Sequence, residues 1–321
     1  MSIMIKDRMA GCTAMPRVYA GGAHFAKRER RQKRQLLAGS GKIRVKTVVV
    51  TGAGAGIGRA LAVGFAGDGC RVVGIGRTRA ALEETGALCQ GQFSYLLADV
   101  ADAEAVANAM ERVAADGAID ALICNAAVYP REFFLHQPAV DWTSTLLTNV
   151  CGVANCCRAV LPAMLDRNAG RIVVIGSLAD LSPLPGASAY SASKAALHSL
   201  VRALACEIDR RRYPNVLINE FNPPATRTAM CDIGASPSSL YRRVKQLVEF
   251  PAGGPTGRMY LRYREYRPNE GARAKLKRIF MSGLVPTLGR TSASPPITAL
   301  MRICGMARAM LSGCPTDTEA N

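Results

Sequence analysis

Tyr190 and Lys194 stand four residues apart where a helical segment begins, one whose apolar spacing runs from Ala192 to Ile208. Residues at that separation share a helix face, so the lysine ammonium can lie near the phenol. A free phenol ionises near pH ~10, and a tyrosine that passes protons near neutrality needs positive charge beside it. Lys194 supplies such a charge. The spacing decides nothing by itself: nine tyrosines and nine lysines in 321 residues predict about 0.25 such pairs by chance. A second pair, Tyr241 and Lys245, follows later in the chain.

Strands and helices must alternate to position the first pair. Thr47 to Val50 is a β-branched run ending in a glycine-rich turn, Thr51 to Gly58, and apolar residues at helical spacing follow (Ile57, Leu61, Phe65). Strands are expected at Arg71 to Ile75, Phe93 to Ala98, Ala121 to Cys124, Arg171 to Ile175 and Val216 to Phe221. The segments between them read as helices: Leu82 to Leu88, Ala103 to Ala115, Trp142 to Leu165 and Ala192 to Ile208. Strands joined by helices pair in parallel, which predicts an α/β fold with a single doubly wound, Rossmann-like parallel sheet and helices on both faces. A further helix is expected near Ser239 to Val248 and a last strand around Met259 to Tyr263.

Gly52, Gly54, Gly56 and Gly58 lie between the first strand and the first helix, where such a sheet sets a pyrophosphate against helix N-terminal amides. A side chain there would block the approach of backbone to ligand. Written Thr51-Gly52-x-x-x-Gly56-x-Gly58, the turn resembles that of the short-chain dehydrogenase/reductase family, and further motifs follow in that family's order. Asp99-Val100 matches the adenine-contacting site after the third strand, and Asn125-Ala126-Ala127 the sheet-supporting site after the fourth. Ser177 precedes Tyr190 by the family's usual thirteen residues, so two hydroxyls could converge on one carbonyl oxygen.

The resemblance implies a catalytic tetrad, Asn149, Ser177, Tyr190 and Lys194, with Asn149 supporting the lysine through water. It implies a nicotinamide dinucleotide held by Gly52, Gly54, Gly56, Ile57, Gly58, Asp99, Val100, Asn125, Ala126, Tyr190 and Lys194, with Pro223, Thr226 and Thr228 beside the nicotinamide. Pro224 stands where the family has glycine. The second strand ends Gly76-Arg77, with no acid to repel a 2′-phosphate, so NADP(H) is expected to be preferred and NAD(H) to remain possible. The match covers about residues 46 to 268. It implies an oxidoreductase acting on a small carbonyl or alcohol and assembling as a homodimer or homotetramer. A cofactor-binding sensor or scaffold of the same fold is the alternative. Tyr241 and Lys245 lack a serine at the right offset and read as an incidental surface pair.

Charge sorts by segment. The net +17 divides as +10 over residues 1 to 46, +1 over 47 to 260 and +6 over 261 to 321. Any binding of polyanions would therefore rest on a basic arm, residues 1–45, and an irregular basic tail, residues 269–321, flanking the domain at 46–268. The cluster Lys27 to Arg34 has no interleaved aromatics for base stacking, so nucleic acid is unlikely as a partner and a solvated arm is the leading reading. No apolar stretch near the ~20 residues of a membrane span is evident, and a cytoplasmic location is expected. Eleven cysteines without paired spacing fit a reducing compartment, and Cys151, Cys156 and Cys157 read as small buried hydrophobes. His136 and His198 have no ligand spacing, and no metal is expected. Phe133, Phe134, Leu181, Leu184 and Met230 read equally as substrate mouth or as core.

Overall fold

Three successive valines and two flanking threonines make β1 (Thr47–Thr51) buried along its whole length. Such a run suits a central strand covered on both faces. Alternation divides it: Val49 joins one apolar cluster, while Val48 and Val50 join the cluster on the opposite face. The computed structural model describes residues 45–261 and 264–266. The basic cluster Lys27 to Arg34, the rest of the arm before Val45 and the tail from Arg267 lie outside the described residues.

From β1 the chain runs through α1 (Gly56–Gly67), β2 (Arg71–Gly76), α2 (Arg79–Leu88), β3 (Phe93–Leu97), α3 (Ala103–Ala115) and β4 (Ala121–Cys124). Next come α4 (Ala139–Leu146), a π-turn (Leu147–Cys151), α5 (Gly152–Asp166), β5 (Gly170–Ile175), α6 (Ser188–Glu207), β6 (Val216–Asn222), α7 (Tyr241–Val248), β7 (Met259–Leu261) and β8 (Arg264–Glu265). The sheet order is β3-β2-β1-β4-β5-β6-β7-β8. Strands β1 to β7 are parallel, and β8 turns back antiparallel on β7. The single last strand expected over Met259 to Tyr263 is thus two short ones. The order reverses between β1 and β4, and the loops leaving the C-terminal ends of those strands open the crevice where such sheets bind ligands.

Glycine sets two close approaches in this frame. A side chain at Gly74 in β2 would overlap the Phe93 ring, and one at Gly152 would come within 2.6 Å of Val100. The α3 helix starts cleanly because Asp102 accepts from the backbone amides of Glu104 and Ala105, both at 3.0 Å.

The stretch expected as a helix from Trp142 begins earlier, at Ala139, and is continuous to Asp166 through the π-turn. At 28 residues it is long and apolar enough to cross a membrane, which corrects the expectation that no stretch approaches that length. Its Val153, Cys156, Cys157, Val160 and Met164 instead pack into the apolar cluster against the sheet. The next helix also begins earlier than expected, at Ser188, so Tyr190 lies within its first turn.

Candidate active site

The glycine turn after β1 is shaped by positions that no side chain could fill. Gly52 has φ +65°, and a Cβ there would meet Ala126 Cα at 2.9 Å. Gly56 has φ +53°, and a side chain at Gly58 would overlap the Gly52 carbonyl oxygen. Gly54 lies against Ala81 on α2. Asn125 fixes this turn from β4: its Nδ2 donates to the carbonyls of Thr51 (3.0 Å) and Gly52 (3.3 Å). The amides of Asn125 and Ala126 both donate to Thr51 Oγ1 at 3.0 Å. Backbone amides at the head of α1 and a surface kept free of Cβ atoms fit the pyrophosphate of a dinucleotide. Ile57 anchors the helix start by packing on the apolar cluster of that face.

The four expected catalytic residues come from two elements and one loop. Asn149 is central in the π-turn and fully buried. Its Oδ1 accepts from Val128 N at 2.8 Å, and its Nδ2 donates to Val128 O and to Ser193 Oγ, each at 3.0 Å. Asn149 thus holds the segment after β4 and the residue preceding Lys194, with no direct bond to the lysine. Ser177 follows β5, and its hydroxyl hydrogen-bonds the Tyr190 phenol. Lys194 is buried one turn along α6, its Nζ 5.6 Å from the Tyr190 ring centroid and donating to Ile175 O at 2.9 Å. Tyr129 packs against the other pair member, its ring centroid 4.5 Å from that of Tyr190.

A family model described as short chain dehydrogenase matches residues 46–234. This chain belongs to the short-chain dehydrogenase/reductase family. "Probable oxidoreductase EphD" of Mycobacterium tuberculosis is 39% identical over 167 residues, 50% of this chain, and the match spans only 28% of that protein's length. "Oxidoreductase UcpA" of Escherichia coli K12 is 33% identical over 223 residues, 68% of this chain and 84% of UcpA. Among solved structures, a 3-oxoacyl (acyl-carrier-protein) reductase from Agrobacterium tumefaciens C58 with NADP bound is similar at TM-score 0.60 and 25% identity, over 70% of this chain and 95% of that one.

The electrostatics of this site differ in one respect from the simple expectation that a cation lowers the phenol. Burial pushes the Tyr190 phenol above its usual value, the Ser177 hydrogen bond pulls it down, and Tyr129, Asp180 and Cys231 push it up. Among the protein's own groups burial wins. Burial also brings Lys194 down to about 8, while Glu220 and Asp180 oppose the fall.

The remaining cofactor positions are spread along the crevice. Val100 is buried, and its carbonyl accepts from Asn155 Nδ2 at 3.0 Å. Arg77 Nη1 lies 3.3 Å from Asp99 Oδ2, so two residues expected to hold different parts of the nucleotide meet each other at the surface. After β6, Thr226 Oγ1 donates to Pro224 O at 2.7 Å, and paired backbone bonds close residues 225 to 235 into a compact loop. Thr228 from that loop lies over Gly56, 3.2 Å from where a Cβ would stand.

Sequence reasoning missed Arg59. Its guanidinium latches the glycine turn to α2, with Nε donating to Gly54 O and Thr85 Oγ1, both at 3.1 Å, and Nη2 pairing Glu84 at 2.7 Å. A basic residue on the exposed side of a helix leaves no periodic signal. The reading of Tyr241 and Lys245 as an incidental pair is also corrected. Both side chains converge on the Asp68 carboxylate at the end of α1, and the Tyr241 ring packs edge-on to Phe65 at 5.1 Å. Cys156 and Cys157 are buried beside Cys124, as small apolar residues would be, whereas Cys151 is exposed. Phe133, Phe134, Leu181, Leu184 and Met230 are all exposed, which removes the core reading. His136 is at the surface near Glu132, and among the described residues no group of His, Cys, Asp and Glu gathers around a metal position.

Proposed function

We propose that this protein transfers hydride reversibly between NADP(H) and a carbonyl/alcohol pair. Tyr190 is the general acid/base, Lys194 tunes it, Ser177 shares the substrate oxygen, and Asn149 holds the lysine-bearing helix to the loop after β4. The observation that carries this reading is the buried lysine beside a half-buried phenol that Ser177 already hydrogen-bonds. Burying an ammonium is costly, and folds retain such groups where charge serves chemistry. The bound dinucleotide would supply the hydride. The protein's residues hold the carbonyl oxygen between two hydroxyls, deliver the phenolic proton to it and keep a cation close to the phenolate that remains.

Gly52, Gly54, Gly56, Ile57 and Gly58 would bring helix amides to the pyrophosphate, Asp99 and Val100 would flank the adenine, and Asn125 and Ala126 would support the floor. Pro223, Thr226 and Thr228 would border the nicotinamide. The exposed Phe133, Phe134, Leu181, Leu184 and Met230 lie on the loops that follow β4, β5 and β6, the first two of which meet where Glu132 N donates to Gly186 O at 3.0 Å. An apolar rim of this kind favours a substrate whose carbonyl is carried on a hydrocarbon body. The proposal includes a domain at 46–268 flanked by an arm and a tail, a cytoplasmic location and a homo-oligomer.

Preference for NADP(H) is assigned to Arg77. A side chain at Gly76 would meet only ordinary contacts to Leu82, so the space an acid would occupy is open, and the guanidinium beside it is 61% exposed. Asp99 competes for that guanidinium, and Arg79 is engaged by Tyr95 Oη at 3.0 Å, so the preference is moderate. The NADP-bound relative from Agrobacterium tumefaciens lends support.

Screening ketones and aldehydes for NADPH oxidation tests the whole reading. Turnover that prefers NADPH over NADH, with the preference falling roughly tenfold in Arg77→Ala, is the expected result. NADPH binding without turnover on any carbonyl would favour the sensor reading, and an NADH preference would remove Arg77 from its role.

A further inference from the structure

Behind the proposed active site, α6, β6 and the 3-10 turn after Ser177 (Leu178–Asp180) enclose a group of polar side chains that the reaction as written does not use. Glu220 on β6 is fully buried. Its Oε2 is 3.1 Å from His198 Nδ1, one helical turn beyond Lys194, and its Oε1 has no partner. Asp180 Oδ2 accepts from Asn222 Nδ2 at 3.0 Å, and its Oδ1 is buried without a partner. Asn222 Nδ2 also donates to Ser177 O at 2.9 Å, which ties the group to the catalytic serine. Gly176 makes room for it, because a Cβ there would overlap both Glu220 Oε1 and Asn222 Oδ1. Gly176 directly follows Ile175, whose carbonyl receives the Lys194 ammonium.

Two carboxyl groups in a closed space are unfavourable unless a cation offsets them. The only wholly buried ammonium described is that of Lys194, and Glu220 and Asp180 are the two groups that support its charge. A carbonyl oxygen alone cannot supply the negative charge that this lysine lacks at contact distance. We propose that Glu220 and Asp180 are positioning residues for Lys194, one fully and one partly buried counter-charge that keep it an ammonium beside Tyr190, with His198 fixing the outer oxygen of Glu220. The ionisable groups around Lys194 are then Glu220 from β6, Asp180 from the 3-10 turn, and Tyr190 and His198 from its own helix, with Tyr129 and Cys231 facing Tyr190. Burial moves Asp180 up to about 6, with Glu220 adding to the rise, so Asp180 is charged only above that pH.

This inference rests on Lys194 serving Tyr190. Removing a carboxylate should let Lys194 lose its proton at lower pH, by about one pH unit for a nearby opposite charge. The test compares Glu220→Gln, which keeps shape and removes charge, with Glu220→Asp, which keeps charge and disturbs shape, and adds Asp180→Asn. The alkaline limb of kcat/KM should move down in E220Q and D180N and stay near its wild-type position in E220D. Lysine Nζ resonances of isotopically labelled protein, with Lys194 assigned through K194R, should show the same order without any substrate. If E220Q titrates like wild type while E220D shifts, Glu220 is a packing residue and the inference fails. If E220Q does not fold, D180N decides: an unmoved Lys194 titration overturns the proposal. A wild-type enzyme that reduces no carbonyl, yet whose Lys194 titration shifts in E220Q, would remove the proposed reaction and leave the counter-charges standing.

Discussion

The chain contains the same Tyr-x-x-x-Lys spacing twice, on α6 and on α7, and the two copies have opposite surroundings. Lys194 is buried, donates to a backbone carbonyl and has its counter-charges at a distance, while its tyrosine shares a hydrogen bond with Ser177. Lys245 is a third exposed, pairs directly with Asp68 and also lies 3.6 Å from Glu249, and its tyrosine donates to the same Asp68. Direct pairing raises Lys245 and burial lowers Lys194. A lysine satisfied by a contact carboxylate is a clamp. A lysine held charged without one is available to the group beside it, here the Tyr190 phenol.

Exchanging the two tyrosines for phenylalanine should separate them most sharply. Tyr190→Phe removes the transferable proton, and turnover should fall by at least about 10²-fold while NADPH affinity stays within a few-fold. Tyr241→Phe should leave kcat/KM near wild type and lower Tm by a few degrees, because one hydrogen bond to Asp68 is lost. Steady-state rates, cofactor fluorescence titration and thermal melts read all three quantities. A dispensable Tyr190 with a lethal Tyr241 change would move the active site to α7.

The clamp can also be attacked from its other side. Gly64 on α1 faces the Tyr241 ring so closely that a Cβ would overlap it. Gly64→Ala should therefore force the ring aside and destabilise the fold by about 1–3 kcal/mol, the usual range for overpacking. The rate per folded molecule should be unchanged. An activity loss matching that of Tyr190→Phe would show that the two regions are coupled.

The difference between the pairs was legible in sequence only through context. The first copy had the glycine turn, Asp99, Asn125, Asn149 and Ser177 before it in order, each at the end of a strand or inside a helix that hydrophobic periodicity could place. The partner of the second, Asp68, lies 173 residues from Tyr241, and nothing local marks it. Glu220 was hidden for a related reason. Its strand mixes apolar residues with Asn219 and Asn222 and is buried on both faces, so alternation could not tell whether the glutamate entered the core. The π-turn at Asn149 was hidden as well, because nothing in the residue types of Leu147–Cys151 distinguishes it from an ordinary helical turn.

The finest test sets the two carboxylates against each other by pH. Asp68 is lowered by its bonds to Lys245 and Tyr241, so its contribution to stability is present above the unfolded value near 3.8 and is lost as pH falls through its folded value. Asp68→Asn should thus cost stability at neutral pH, about 0.5–1 kcal/mol once solvent screening of an exposed group is allowed for, and the difference from wild type should shrink on acidification. Asp180 has the opposite sign. Its folded value is raised to about 6 by burial, so the wild type loses stability as pH rises from about 3.8 through about 6, and Asp180→Asn is spared that loss. Melts of both variants from pH about 2 to about 7 should show D68N falling behind wild type as pH rises to about 4, and D180N gaining on it between about 4 and about 6. Parallel curves for D180N and wild type would mean that Asp180 ionises as freely in the fold as in the unfolded chain, and the contrast between a carboxylate kept for stability and one kept for chemistry would then be lost.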